Sequence, residues 1–78
     1  MNNIKELDAV ALTCDLPERG LKRGDVGTAV LVHGNAEAFE VEFVGYDGST
    51  VALLTLEGTQ VRALRAGDIP HARKLASA

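Results

Sequence analysis

Alternation of apolar and polar residues is clearest over residues 38–44, where Phe39, Val41 and Phe43 fall on one side of an extended chain and Ala38, Glu40 and Glu42 on the other. That segment is predicted as a strand with one wet face. Residues 8–13 are short, apolar and partly alternating, which suits a first strand. Residues 25–33 are rich in Val and Thr and form a second, with Val26, Thr28, Val30 and Val32 sharing a face and Gly27 marking a bulge or strong coiling at its start. Between these two, residues 14–24 read as a long ordered loop in which only Leu16 and Leu21 can tuck inward.

Gly34-Asn35-Ala36-Glu37 supplies residues that tolerate tight reversal, so a hairpin joins the second and third strands. Asp47-Gly48 within Gly45-Tyr46-Asp47-Gly48 is the strongest turn pair in the chain and joins the third strand to a fourth over 49–56. In that fourth strand Val51 and Leu53 lie on one face and Ala52, Leu54 and Leu56 on the other. Both faces are then apolar, and something has to cover the second one. A run over 60–64 closes the sheet as a fifth strand. Residues 67–78 are expected to be helical or irregular, with Pro70 near a helix start and Ile69, Ala72 and Leu75 weakly spaced for one side.

Short strands joined by one long loop and two tight hairpins predict an all-β fold: a small five-stranded SH3-like antiparallel barrel over 4–64, with a C-terminal extension over 65–78. An OB-type barrel is the runner-up, and the four-residue turn at 45–48 leaves no room for the helix it commonly carries. The length of 78 residues allows one domain and no deep cleft in a thick scaffold, which counts against a self-contained enzyme. One cysteine, Cys14, excludes an internal disulfide framework, and no stretch approaches the length of a membrane helix. A bacterial-type cytoplasmic protein is expected.

The net charge of -3 disfavours a dedicated nucleic-acid binder, since such binding rests on Lys and Arg neutralising phosphates. Basic residues still gather at Arg19, Lys22 and Arg23, and an RNA-contacting patch there is the alternative reading. Cys14 as a nucleophile needs a histidine and an orienting acid, and His33, His71 and several carboxylates are candidates that sequence cannot place together. A small Cys-dependent enzyme is the remote alternative. The two histidines are 38 positions apart and Cys14 has no paired partner, so no metal motif is present, and no cofactor is predicted. Glu40 and Glu42 share a strand face and read as solubilising charges. The aromatic residues are Phe39, Phe43 and Tyr46, none of them in the long loop, so an aromatic groove for proline-rich peptides is not expected. Arg23-Gly24-Asp25 spells an adhesion tripeptide by coincidence.

Several phrases taken together, Ile4-Lys5-Glu6-Leu7-Asp8, Asp15-Leu16-Pro17-Glu18, Gly20-Leu21-Lys22-Arg23-Gly24-Asp25-Val26-Gly27-Thr28, Glu40-Val41-Glu42-Phe43 and Ala52-Leu53-Leu54-Thr55-Leu56, resemble a family of small bacterial proteins catalogued as domain of unknown function DUF4926. The resemblance covers 4–64 and implies a compact SH3-like barrel; it brings no catalytic residues. Within its most specific block, the glycines at 20, 24 and 27 let the chain reverse and coil, and Asp25 is placed to bond neighbouring amides.

The positive clue to function is the second apolar face, made by Ala29, Leu31, Ala52, Leu54 and Leu56. Leaving such side chains in water forfeits roughly 1.5–3 kcal/mol each. Either the tail folds back over them through Ile69 and Leu75, or a partner protein or second copy packs there. The expected function is a non-enzymatic interaction module of accessory, regulatory or antitoxin- or immunity-like kind.

Overall fold

A computed structural model describes residues 3–75. The strands are β1 (Ala9–Leu12), β2 (Val26–His33), β3 (Ala38–Val44), β4 (Thr50–Glu57) and β5 (Val61–Ala63), with single 3-10 turns at Pro17–Arg19 and Gly58–Gln60. All five pair antiparallel in one sheet, in the order β4-β3-β2-β1-β5. The expected all-β class and strand number hold, with ends displaced by a residue or two. The tail from Leu64 to Leu75 is irregular, the second of the two forms expected for it. The expected tail continues into residues 76–78, which lie outside the described residues, as do residues 1–2.

Phe39, Val41 and Phe43 of β3 are buried, and β4 sets Leu56, Leu54 and Ala52 directly opposite them. Val10 and Leu12 of β1, Val61 of β5, Ile4 and the loop residue Leu21 complete the core, in which no polar side chain is buried among the described residues. The two inner rows of β3 and β4 are the period-2 pattern of the sequence made solid.

β2 departs from the expectation. Its register with β3 shifts between Ala29 and Leu31, leaving Val30 as the extra residue of a bulge. On one side of the bulge Ala29 faces inward opposite Val41; on the other, Val32 packs on the core opposite Phe39, while Leu31 turns outward opposite Glu40. Val26, Thr28, Val30 and Val32 therefore do not share one face along the whole strand. Of the bulge or strong coiling expected at Gly27, the bulge lies instead at Val30, and Gly27 is a place of close backbone approach. It is buried where β2 passes from β1 to β3, and a Cβ there would stand 2.8 Å from both the Glu42 carbonyl oxygen and Val41 Cγ1.

The long loop is ordered by backbone pairing between Leu16 and Leu21, whose N–H groups donate to each other's carbonyls at 2.9 and 3.1 Å. Gly20 closes the 3-10 turn between them at φ 70°. The Asp15 and Asp25 carboxylates accept from the Arg23 and Lys22 amides at 2.8 Å each, which pins the loop's return into β2. At the second hairpin Asp47 Oδ1 accepts from both the amide and the hydroxyl of Ser49, and Gly48 takes φ 87°.

Substituting Gly27→Ala is expected to lower unfolding stability by about 1–3 kcal/mol, because the clash includes backbone that cannot swing aside. Gly67→Ala, with nothing within 4 Å of the added methyl and no positive φ, is expected to stay within about 0.5 kcal/mol of the parent. Urea denaturation of the two variants measures the contrast, and equal stabilities would refute this account of Gly27.

Candidate functional site

Four of the five residues assigned from sequence to a partner surface lie in the core. Ala29, Ala52, Leu54 and Leu56 are buried, and Leu31 alone is exposed. The physical reason is register: β4's even positions face Phe43, Val41 and Phe39 across the pair, so the supposed second face is the inner one. The odd positions carry the true outer face, where Leu53 is 55% exposed and Leu31 43%. Polar neighbours share that face. Glu40 accepts from Thr55 Oγ1 at 2.6 Å and lies 2.7 Å from His33 Nε2, and Glu42 accepts from Thr50 Oγ1 at 2.7 Å. The Thr55 hydroxyl first, and His33 second, hold the Glu40 carboxyl below its usual value. These glutamates are tied into a cross-strand polar lattice as well as being solvated.

The main concavity lies elsewhere, between the start of β4 and the long loop. A depression of about 770 Å³ is lined by Asp15, Pro17, Arg19, Gly20, Leu21 and Lys22 of the loop, by Ser49, Thr50 and Val51, and by Arg73, Lys74 and Leu75 of the tail. A shallower one of about 350 Å³ follows along β4, between Leu53–Leu56 and Leu16, Glu18, Arg19 and Gln60. Arg19 lines both, so the two form one groove between the outer edge of β4 and the loop. Arg19 and Lys22, two of the three expected basic residues, meet here and are joined by Lys74; Arg23 does not line it. No ion pair among the described residues engages Arg19, Lys22 or Lys74.

The tail reaches this place because it is tied at two points. Arg73 donates through Nε and Nη2 to both carboxylate oxygens of Asp25, at 2.8 and 2.6 Å, and through Nη2 to the Gly20 carbonyl at 3.0 Å. This fork is partly shielded from water and fixes orientation as well as distance. Arg62 holds Asp68 with a second bidentate pair at 2.9 and 3.0 Å, and Asp68 Oδ2 also accepts from the Arg65 amide. Beneath the tail a third cavity of about 260 Å³ separates His71, Arg73 and Leu75 from Phe43, Tyr46 and Val51. The tail thus folds back over the loop and the hairpin through charge and Leu75, whereas Ile69 remains 90% exposed.

Cys14 is half-buried and lines none of these three cavities, while His33 belongs to the outer face and His71 to the space under the tail. The chain does not assemble them. No group of three or more His, Cys, Asp or Glu suited to a metal ion occurs among the described residues, and no helix there is long and apolar enough to cross a membrane.

Taken together, the fold and groove define a small all-β domain with a cation-rimmed trough beside an edge strand. The chain belongs to the family described as a domain of unknown function (DUF4926), whose pattern matches residues 6–63. No curated protein and no solved structure matches it.

Arginine first holds the Asp25 carboxyl below its ordinary value, and Arg62 together with the Arg65 amide lowers that of Asp68 to about 2. A carboxyl depressed on folding favours the folded state above its ordinary value near 3.8 and loses that contribution as pH falls through the depressed one. The Asp68 tie is therefore expected to be complete above about pH 4 and to release between about pH 4 and 2, and the Asp25 tie to release as pH falls below the ordinary carboxyl value. Amide chemical shifts followed through acid titration test this. Asp25→Asn should abolish the acid-dependent change at residues 70–75 and leave that at 65–68, and Asp68→Asn should do the reverse; transitions insensitive to both variants would refute it.

Proposed function

We propose that this chain is a non-enzymatic interaction module, a small barrel of the SH3-like kind, that docks another protein in the groove between β4 and the long loop. The observation that carries the reading is the composition of the groove's lining. Pro17, Leu21, Val51 and Leu75 make the larger part mainly apolar, the shallower part along β4 is mainly polar, and Arg19, Lys22 and Lys74 line the groove without ion-pair partners among the described residues. Apolar area gives the affinity of such a site, and unneutralised rim charges give orientation and rate of encounter. The strand order β4-β3-β2-β1-β5, with the short β1 between β2 and β5, accords with the SH3-like reading. A single cysteine and no disulfide fit a reducing compartment, the bacterial cytoplasm, and a role as an accessory, regulatory or antitoxin- or immunity-like protein.

The outer face of the sheet is a poorer candidate. Leu31 and Leu53 there are interleaved with Glu40 and Glu42 and their bonded threonines, so the apolar area is broken into single side chains. An RNA contact through Arg19, Lys22 and Arg23 has less support, because Arg23 lies outside the groove and no aromatic ring lines it for base stacking.

A photo-crosslinking amino acid placed at Lys74 or Arg19 of the full chain in cells is expected to label the same protein from both positions, and the same probe at Leu31 to label it at least about tenfold less. Equal labelling from Leu31, or no protein adduct from the groove positions, would overturn the docking reading.

A further inference from the structure

β4 is an edge of the sheet, bonded to β3 on one side and to no strand on the other. In an antiparallel pair alternate residues direct N–H and C=O away from the partner, so between the bulge at Val51 and Glu57, whose amide donates to Gln60 Oε1, β4 presents unpaired donors and acceptors along the groove. Protein edges are commonly blunted by Lys, Pro or an inward-pointing charge. Here Thr-Val-Ala-Leu-Leu-Thr-Leu-Glu has a bulge at Val51 near its start, and none of these residues from Ala52 to Leu56. The loop forms the opposite wall, and Leu16, Leu21 and Leu75 give the trough apolar ground.

Charge is distributed unevenly along its length. Arg19, Lys22 and Lys74 line the part beside Ser49–Val51 against one carboxylate, Asp15, whereas Glu18 stands with Arg19 alone in the part beside Leu53–Leu56 and Glu57 follows in β4. An occupant with carboxylates at one end is favoured with that end beside Ser49–Val51, where cations are in excess. The occupant also has to be a single strand. A second copy's β4 is bonded along its far edge to β3, and in the groove that β3 would stand where the loop stands. A nucleic-acid backbone fits poorly, because phosphate oxygens only accept and would pair with the N–H groups of the edge while leaving its carbonyls without donors.

We propose that the groove takes an extended segment of a partner protein as a sixth strand, paired through its backbone to the free edge of β4. Alternate apolar side chains of the segment rest on the groove floor, and its acidic residues lie at the Ser49–Val51 end beside Arg19, Lys22 and Lys74. Strand addition of this kind draws affinity from main-chain hydrogen bonds and specificity from alternate side chains. The proposal rests on the docking reading above and adds the conformation and chemistry of what docks.

The probe is a random library of displayed peptides about twelve residues long, selected on the full chain. The expected consensus alternates apolar and polar residues and ends in Asp or Glu. The consensus peptide is then synthesised with backbone N-methyl groups on alternate amides, in both phases. One phase is expected to weaken binding at least about tenfold and the other by less than about twofold, since only one set of amides faces β4. Arg19→Glu together with Lys22→Glu should weaken it at least about tenfold, both side chains being exposed and outside the core. A selection without a consensus, a consensus without acidic residues, or equal tolerance of methylation in both phases overturns strand addition. If photo-crosslinks still map to the groove in that case, docking stands and the extended strand falls; if neither responds to groove positions, both fall.

Discussion

Gly27 stands where β2 leaves β1 and takes up β3, and the volume a side chain would fill there is already occupied by Val41, Phe43 and the carbonyl of Glu42. A chain of this size has to bury one core with one sheet, so the sheet must bend until its two ends enclose the same side chains. The bend requires backbone to approach backbone more closely than any Cβ permits. From that contact follow the position of β1 under the core, the pairing of β5 beyond it, and the arrival of the long loop opposite β4. The groove is a consequence of the bend, because a sheet that curls without closing leaves its last strand facing whatever connects its first two.

Much of this was legible in the sequence. Strand number, the two tight hairpins and the inner row Phe39-Val41-Phe43 follow from period-2 patterning and turn chemistry, which are local. The bonding of Asp25 to a neighbouring amide was also readable, because its partner, the Lys22 amide, is only three residues back. What failed was the assignment of faces on β2 and β4. A bulge changes which residues face inward from Val30 onward, and nothing in Thr28-Ala29-Val30-Leu31-Val32 marks it, since every residue there suits a strand. For β4, alternation alone gives two apolar sets and does not say which looks at Phe39; the cross-strand register with β3 does.

The groove itself was half legible. Arg19 and Lys22 stood out as charges in a loop, but their meeting with Lys74 depends on a fork between residues 48 positions apart, Arg73 and Asp25. Val51 and the free edge of β4 carry no signature as a site, because an edge is defined by the strand that is absent beside it. No local signal in the residues 49–56 distinguishes the last strand of a sheet from one in its middle.

Each of the two ion-pair ties of the tail joins a residue inside the family match, Asp25 or Arg62, to one beyond it, Arg73 or Asp68. The family match ends at residue 63, so the groove's β4 edge and loop wall fall inside it, while Lys74 and Leu75 and the guanidinium that anchors them fall outside. The tail forms no rung of the sheet, and a change of its side chains leaves every strand pair in place. A change after residue 63 can therefore alter one bank of the trough, at Lys74 and Leu75, while the loop wall and the β4 edge that form the other lie within the family pattern.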